Sequence, residues 1–399
     1  MSPTRPLTAI DETGFVEYRG RIRSGLERMA EDERQPFSAA YAMAAIGIFD
    51  HPDEVYLQGR LYQANPERTA PEALRMLRAS RAFLLLRRPG IAYPYEYSMP
   101  GDWLDGFAWM REEPDAMQQL EDCHVNRILG TSISQRYGSV KFLDAALEHL
   151  VGLFPTRLDV GCGNNTGNRR IVLSDHAEQF NFDRIKVMTG RKLGSLALSK
   201  EKTAIFNPLL ANRDVTRRIL GVDRDDPADE ATNRWRVACL LPEEIISGKI
   251  ARMNDALIHT DVDKERLDIR QADVTIESDI DAILETEGLF DVTSAVTSVY
   301  SGTRAEQRAK LAALLRFRKP SGVSYVIDFM RRPNGNGHTL IPLKDWVEMN
   351  VYVQRGNEEF VRVMAATSGR WKAVRFFKEL TRFTDGGRYE AEARALVAA

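Results

Sequence analysis

The stretch Arg157-Leu158-Asp159-Val160-Gly161-Cys162-Gly163-Asn164-Asn165-Thr166-Gly167 constrains this chain more than any other. Its first residues predict a short buried strand, and the strand runs into a turn whose glycines lack a Cβ. Such a turn reaches positive φ without steric cost and lets a ligand come close to the main chain. Asn165 is of the non-glycine type that best tolerates left-handed backbone. Turns of this kind cradle phosphates, dinucleotides and other nucleotides alike, so the sequence at this point specifies a ligand-contacting backbone and leaves the ligand open.

Downstream, short β-branched or apolar runs alternate with helical patterns, the signature of βαβ units and a parallel sheet. Strands are predicted at 157–161, 218–223, 267–274, 290–296 and 323–329, and a helix over AEQRAKLAALLRF. Two last runs, NVYVQR (350–355) and EFVRVMAA (359–366), suit an antiparallel pair closing the sheet. From Gly14 to Val151 the apolar residues recur at helical spacing, as in FVEYRGRIRSGLERMA, FSAAYAMAAIGIF, EALRMLRASRAFLLL and FLDAALEHLVGLF. The segment GIAYPYEYSMPGDWLDGFAW, dense in Pro, Gly and aromatics, reads as loop, sealing a domain junction or lining a pocket. The expected architecture is therefore α/β: a Rossmann-like, doubly wound, mostly parallel seven-stranded sheet over 151–399, behind a mainly helical domain at 1–150 serving substrate or dimerisation.

The 399-residue length supports two cores. With 43% hydrophobic and 28% charged residues, the chain has the balance of a soluble globular protein. A net charge of -2 without a basic run argues against a nucleic-acid partner. Arg75, Arg78, Arg81, Arg87 and Arg88 read as a solvated helix face. Cys123, Cys162 and Cys239 lack the spacing of a disulfide framework or zinc site, so no metal is expected. Neither a signal peptide nor a membrane span is read, which makes the cytoplasm the expected location.

The wording of the glycine turn narrows its ligand. LDVGCG resembles motif I of the class I S-adenosylmethionine-dependent methyltransferases, and the resemblance continues in order over about residues 150–365. Gly221-Val222-Asp223 is similar to the family's second strand and its acid, Gln271-Ala272-Asp273-Val274 to the third element, Leu289 to Val296 to the fourth strand, and Lys319-Pro320-Ser321-Gly322 with VSYVIDF to the KPGG turn and fifth strand. The resemblance implies S-adenosylmethionine as cofactor. Asp159 would orient the turn, with Gly161, Cys162, Gly163 and Asn165 at the amino-acid end of the cofactor. Asp223 and Arg224 would lie at the ribose diol, which two charge-assisted bonds to a carboxylate suit. Asp273 would accept from the adenine amine while the Val274 N–H donates to a ring nitrogen, and Ser294 and Ala295 complete the cofactor set.

Two departures stand out. About sixty residues separate Gly161 from Asp223, against about twenty in a usual unit. An insertion at about 168–216 accounts for the difference, as a sheet-edge elaboration or a lid, and leaves Asp225 and Asp226 as alternatives to Asp223. For an oxygen or carbon acceptor a general base helps, and His338, after the fifth strand, is the first candidate, ahead of His176; His149 reads as packing. Tyr300 sits where this superfamily places residues near the transferred methyl, and Arg136 and Tyr137 lie just upstream of the fold. SAVT stands where many base- and glutamine-directed N-methyltransferases carry NPPY. That points to a small-molecule substrate held between the domains, in the manner of secondary-metabolite methylation, and to a homodimer through the helical domain. Rival readings are a nicotinamide oxidoreductase, a non-catalytic scaffold of the same fold that binds or has lost the cofactor, and an RNA methyltransferase.

Overall fold

The computed structural model describes residues 10–33, 35–64, 72–88, 97–126, 156–163, 168, 186–187, 218–226, 229–242, 266–296, 298–299, 303–328, 330–331, 341–342, 348–356, 359–367, 373–377 and 379. The chain divides into two compact units, one of Met1–Thr131 with Asp229–Asn254, the other of Ser132–Ala228 with Asp255–Ala399.

The first unit is helical: α1 (Glu12–Ala30), α2 (Pro36–Gly47), α3 (Pro52–Ala64), α4 (Glu72–Arg87), α5 (Pro100–Glu112), α6 (Ala116–Asn126) and α7 (Glu230–Ala238). Asp11 caps α1 by accepting from the Gly14 N–H, and Tyr18, Ile22 and Leu26, four apart, form its buried stripe. The stretch read as loop contains a helix, α5. Pro100 opens it, Asp102 reaches back to the Met99 N–H at 2.9 Å, and Trp103, Phe107 and Met110 recur at helical spacing. Its Gly and aromatic density hid that period. The rings serve the core of this unit: Trp103 packs on Tyr97 at 4.7 Å and on Tyr41 at 4.9 Å between centroids.

The arginines of α4 are not a solvated face. Arg81 is 1% exposed and donates to the carbonyls of Ala238, at 2.7 Å, and Leu240; Arg78 donates to that of Cys239 at 2.8 Å. These are carbonyls that the end of α7 leaves without helical partners. Arg75 in turn donates to the carbonyl of His124. A helix that lies between two strands of the other unit in sequence is thereby fixed to α4. Arg81→Met is expected to cost about 2–3 kcal/mol, read as a lower urea midpoint, because two buried carbonyls lose a charged donor.

The second unit is built on β1 (Thr156–Val160), β2 (Lys186–Val187), β3 (Arg218–Asp223), β4 (Leu267–Gln271), β5 (Phe290–Val296), β6 (Arg318–Asp328), β9 (Glu348–Arg355), β10 (Val361–Thr367) and β11 (Ala373–Phe376), with a separate ribbon of β7 (Met330–Arg331) and β8 (Ile341–Pro342). The sheet order is β2-β11-β10-β9-β6-β5-β1-β3-β4. The seven strands anticipated from sequence are present, and the short β11 and β2 extend the sheet to nine. The run β4-β3-β1-β5-β6 is parallel, in the order of a doubly wound fold. β9 and β10 add the anticipated antiparallel pair, and β2, the one described strand of the 168–216 insertion, pairs with β11 at the sheet's far edge. Helices α8 (Glu277–Glu287) and α9 (Arg304–Arg316) complete the crossovers. α9 begins with a reciprocal cap: Thr303 Oγ1 accepts from the Glu306 N–H, and Glu306 accepts from the Thr303 N–H.

The Lys319-Pro320-Ser321-Gly322 segment lies inside β6 as an irregularity: Phe290 pairs with Arg318, but Val292 pairs with Val323. A Cβ on Gly322 would stand 2.6 Å from the Asp291 carbonyl oxygen, which explains glycine there. The core beneath the sheet gathers Leu158, Val160, Leu220, Val222, Phe290 and Ala295 with Leu311 and Leu314 of α9 and Phe317 that caps it. Among the described residues no helix is long and apolar enough to cross a membrane.

Candidate functional site

In a doubly wound sheet, ligands bind outside the carboxyl ends of the strands where the order reverses. Here that point lies between β1 and β5, and the glycine turn leaves β1 at it. Gly161 and Gly163 have φ of +73° and +65°. The N–H groups of Gly161 and Cys162 both donate to the Val222 carbonyl, at 2.8 and 3.2 Å, tying the turn to β3. A Cβ at Gly161 would lie 2.3 Å from the Ser298 Cβ, whereas one at Gly163 would meet nothing within 4 Å among the described residues. Gly161 is thus glycine because protein presses on it, and no described atom presses in the same way on Gly163.

Asp223, at the end of β3 and 3% exposed, accepts from the Gly163 N–H at 2.8 Å and from the Asp225 N–H at 3.1 Å. Its carboxylate therefore joins the glycine turn to the loop after β3. Arg224 is exposed beside it, 3.8 Å from Asp225. At the end of β4, Asp273 Oδ1 accepts from the Thr275 N–H and hydroxyl at 2.9 and 2.7 Å, while the Asp273 N–H donates to Asp279 at 2.8 Å. These bonds fix the loop that opens α8.

Asp159 faces inward. It is 6% exposed, accepting from Ser294 Oγ at 2.7 Å and from the Asn168 side chain at 2.9 Å. It links β1 to β5 and to the chain that leaves the turn, so its influence on the turn is exerted from behind. Ser294 and Ala295 are 0% exposed, and the Ser294 hydroxyl is engaged by Asp159 and Arg157. Both lie within β5, in register with Asp159 and Val160 of β1. Asn165, Tyr300 and His338 lie outside the described residues, as do His149, His176, Arg136 and Tyr137.

Sequence reasoning missed four participants. Arg157, 1% exposed, donates from Nε to Ser294 Oγ at 3.0 Å and stacks over the Tyr325 ring at 5.1 Å. An arginine two residues from an aspartate, and so on the same face of a short strand, was its signal. Ser298 donates from Oγ to the Val160 carbonyl at 2.9 Å, and Lys310 donates to the Ser298 carbonyl at 2.8 Å. Asp328, 0% exposed at the end of β6, accepts from the Val299 N–H at 3.0 Å. Lys310 was legible as a lysine set among Gln307, Leu311 and Leu314 on the buried side of α9. Burial holds its ammonium below the usual lysine range and Arg224 adds to that, against the opposing pull of Glu306, Asp328 and Asp273.

No family model and no curated protein matches the chain. Among solved structures it is similar to the cyclase SpnF, at 17% identity over 55% of this chain and a TM-score of 0.26; the chain spans 56% of that protein. It is also similar to an S-adenosylmethionine-bound amino pentose methyltransferase of Micromonospora echinaspora, at 14% identity over 59% of this chain and 67% of that one, with a TM-score of 0.25. A third is an rRNA methyltransferase of Streptomyces viridochromogenes, at 15% identity over 60% of this chain and 94% of that one, with a TM-score of 0.29. At these TM-scores the likeness assigns neither a substrate nor a reaction to this chain. From its own strand order and the turn at the switch point, the second unit is a Rossmann-like, doubly wound α/β domain.

Proposed function

We propose that the second unit binds S-adenosylmethionine outside the ends of β1, β3 and β4 and transfers its methyl group to a small molecule. The observation that carries this reading is the clasp between Asp223 and the Gly163 N–H. It joins two of the motifs whose wording resembles the methyltransferase family, and ADV follows at the end of the neighbouring strand. The residues suit the cofactor chemically. Among the described residues nothing stands within 4 Å of where a Gly163 Cβ would be, which suits close approach of a ligand to the backbone. Asp223 brings a carboxylate suited to a diol, and Asp273 with the Val274 N–H offers an acceptor and a donor in sequence, as an adenine edge requires.

The cofactor supplies a methyl group already activated on a sulfonium, so the protein's part is mainly to bind, orient and desolvate. Gly161 and Gly163 would hold the amino-acid end and Asp223 the ribose, while Asp273 and Val274 fix the base. For an acceptor that must lose a proton, His338 is the proposed base, and Tyr300 is proposed to stand near the transferred methyl. We take the substrate to be a small molecule, as the near-neutral charge of the chain favours. We take the assembly to be a homodimer through the helical unit, where Val16, Met43 and Leu104 are exposed. A monomeric mass in light scattering at micromolar concentration would exclude the dimer.

Calorimetric titration tests the central claim. Both S-adenosylmethionine and S-adenosylhomocysteine are expected to bind, with Asp273→Ala weakening each about 10- to 100-fold, the range of one charged hydrogen bond. Binding of NAD alone would overturn the cofactor, and steeply salt-dependent RNA binding would overturn the substrate class.

A further inference from the structure

We propose that Lys310 is a positioning residue, holding the Gly161 turn in its ligand-ready form by clamping, together with Asp328, the single peptide group between Ser298 and Val299. Lys310 Nζ donates to the Ser298 carbonyl oxygen at 2.8 Å, and Asp328 Oδ2 accepts from the Val299 N–H at 3.0 Å. That C=O and that N–H belong to one planar unit, so groups of opposite charge fix its orientation from both ends. The Ser298 side chain is then set in place. Its hydroxyl bonds the last carbonyl of β1, that of Val160, at 2.9 Å, and its Cβ fills the space a Cβ on Gly161 would need. Helix α9 and strand β6 thereby brace a turn that belongs to neither.

An ammonium suits this task better than an apolar side chain. The Ser298 carbonyl is part of a loop at the switch point, and a charged donor binds a carbonyl roughly twice as strongly as a neutral one. The groups that act on Lys310 are Glu306 on its own helix, Asp328 at the end of β6, Arg224 after β3 and Asp273 after β4. The clamp is thus surrounded by residues placed at the ribose and adenine ends of the proposed cofactor. Because the clamp needs the ammonium, turn order should fall as pH rises through a lysine range lowered mainly by burial.

The role in ligand binding rests on the cofactor reading above; the role in ordering the turn does not. The experiment compares wild type, Lys310→Met and Lys310→Arg by amide hydrogen exchange over 156–163 and 298–299, and by S-adenosylhomocysteine titration from neutral to alkaline pH. Lys310→Met is expected to speed exchange at Gly161 and Cys162 about tenfold and weaken binding about tenfold, each a modest free-energy change. It should also abolish the alkaline loss of affinity expected of wild type, and Lys310→Arg should retain both order and affinity. Unchanged exchange at the turn overturns the proposal, including the case in which Met weakens binding, since Lys310 would then act on the ligand directly. Acceleration shared equally by Val351 and Val353 in β9 reduces Lys310 to general stability and also overturns it. If wild type binds no sulfur nucleoside, the cofactor reading falls and the exchange comparison still decides the clamp.

Discussion

Gly161→Ala is expected to abolish measurable binding of S-adenosylhomocysteine and to cost about 2–5 kcal/mol of stability. Two effects combine. An L-residue at a φ of +73° carries about 1–2 kcal/mol of backbone strain. The new methyl would also stand 2.3 Å from the Ser298 Cβ, an overlap that costs about 1–3 kcal/mol as the loop is forced aside. Gly163→Ala supplies the contrast. Its φ is +65°, but the methyl would meet no described atom within 4 Å, so the strain is the expected cost to stability while the approach of a ligand is blocked. Urea unfolding with calorimetry on both variants separates the roles. A Gly161→Ala protein as stable as wild type would show that the turn relaxes freely, and would remove the reason for reading it as preorganised.

The strands were legible because buried parallel strands read as continuous apolar runs, and the ladders impose little beyond that pattern. RILGVD became β3 and FDVTSAV became β5 without displacement, and NVYVQR falls within β9. The Lys319 to Gly322 segment was read as a turn, yet it is an irregular start to β6, because Gly322 lets the chain pass close to Asp291. α5 was lost for a different reason. Its buried positions carry Trp103, Gly106 and Phe107, residues that loops also favour, and only the capping by Asp102 separates the two cases. The attachment of α7 to α4 was out of reach, since Arg78 and Arg81 act on backbone carbonyls about 160 positions away.

Within the site, Asp159, Asp223, Asp273 and the two glycines could be named from motif order, but which way each carboxylate turned could not. Asp223 faces the glycine turn and Asp159 faces the sheet, a difference set by the strands beside them. The same blindness covered Ser298 and Asp328, which meet through the peptide group between Ser298 and Val299. Lys310 was missed as well, although its place on an apolar helix face is visible in AEQRAKLAALLRF.

Arg157→Met should destabilise the protein by about 3–5 kcal/mol, the cost of stranding one member of a buried charge pair. Arg157 is 1% exposed, its guanidinium 3.9 Å from Asp159 and bonded to the Ser294 hydroxyl that Asp159 also shares. Met keeps the stem's packing against Tyr325 but leaves the Asp159 carboxylate, among the described residues, with the neutral donors of Ser294 and Asn168. Asp159→Asn on that background removes the stranded charge, and replacing both ions is often nearly neutral for stability. A double-mutant cycle by denaturant unfolding should therefore recover most of the loss. Binding supplies the second readout: Asp159 reaches the chain beyond the turn through Asn168, so the recovered double variant should still bind S-adenosylhomocysteine more weakly than wild type. Restored stability with impaired binding would place the pair's value in the geometry of the turn, whereas recovery of both would make it a device of the sheet alone.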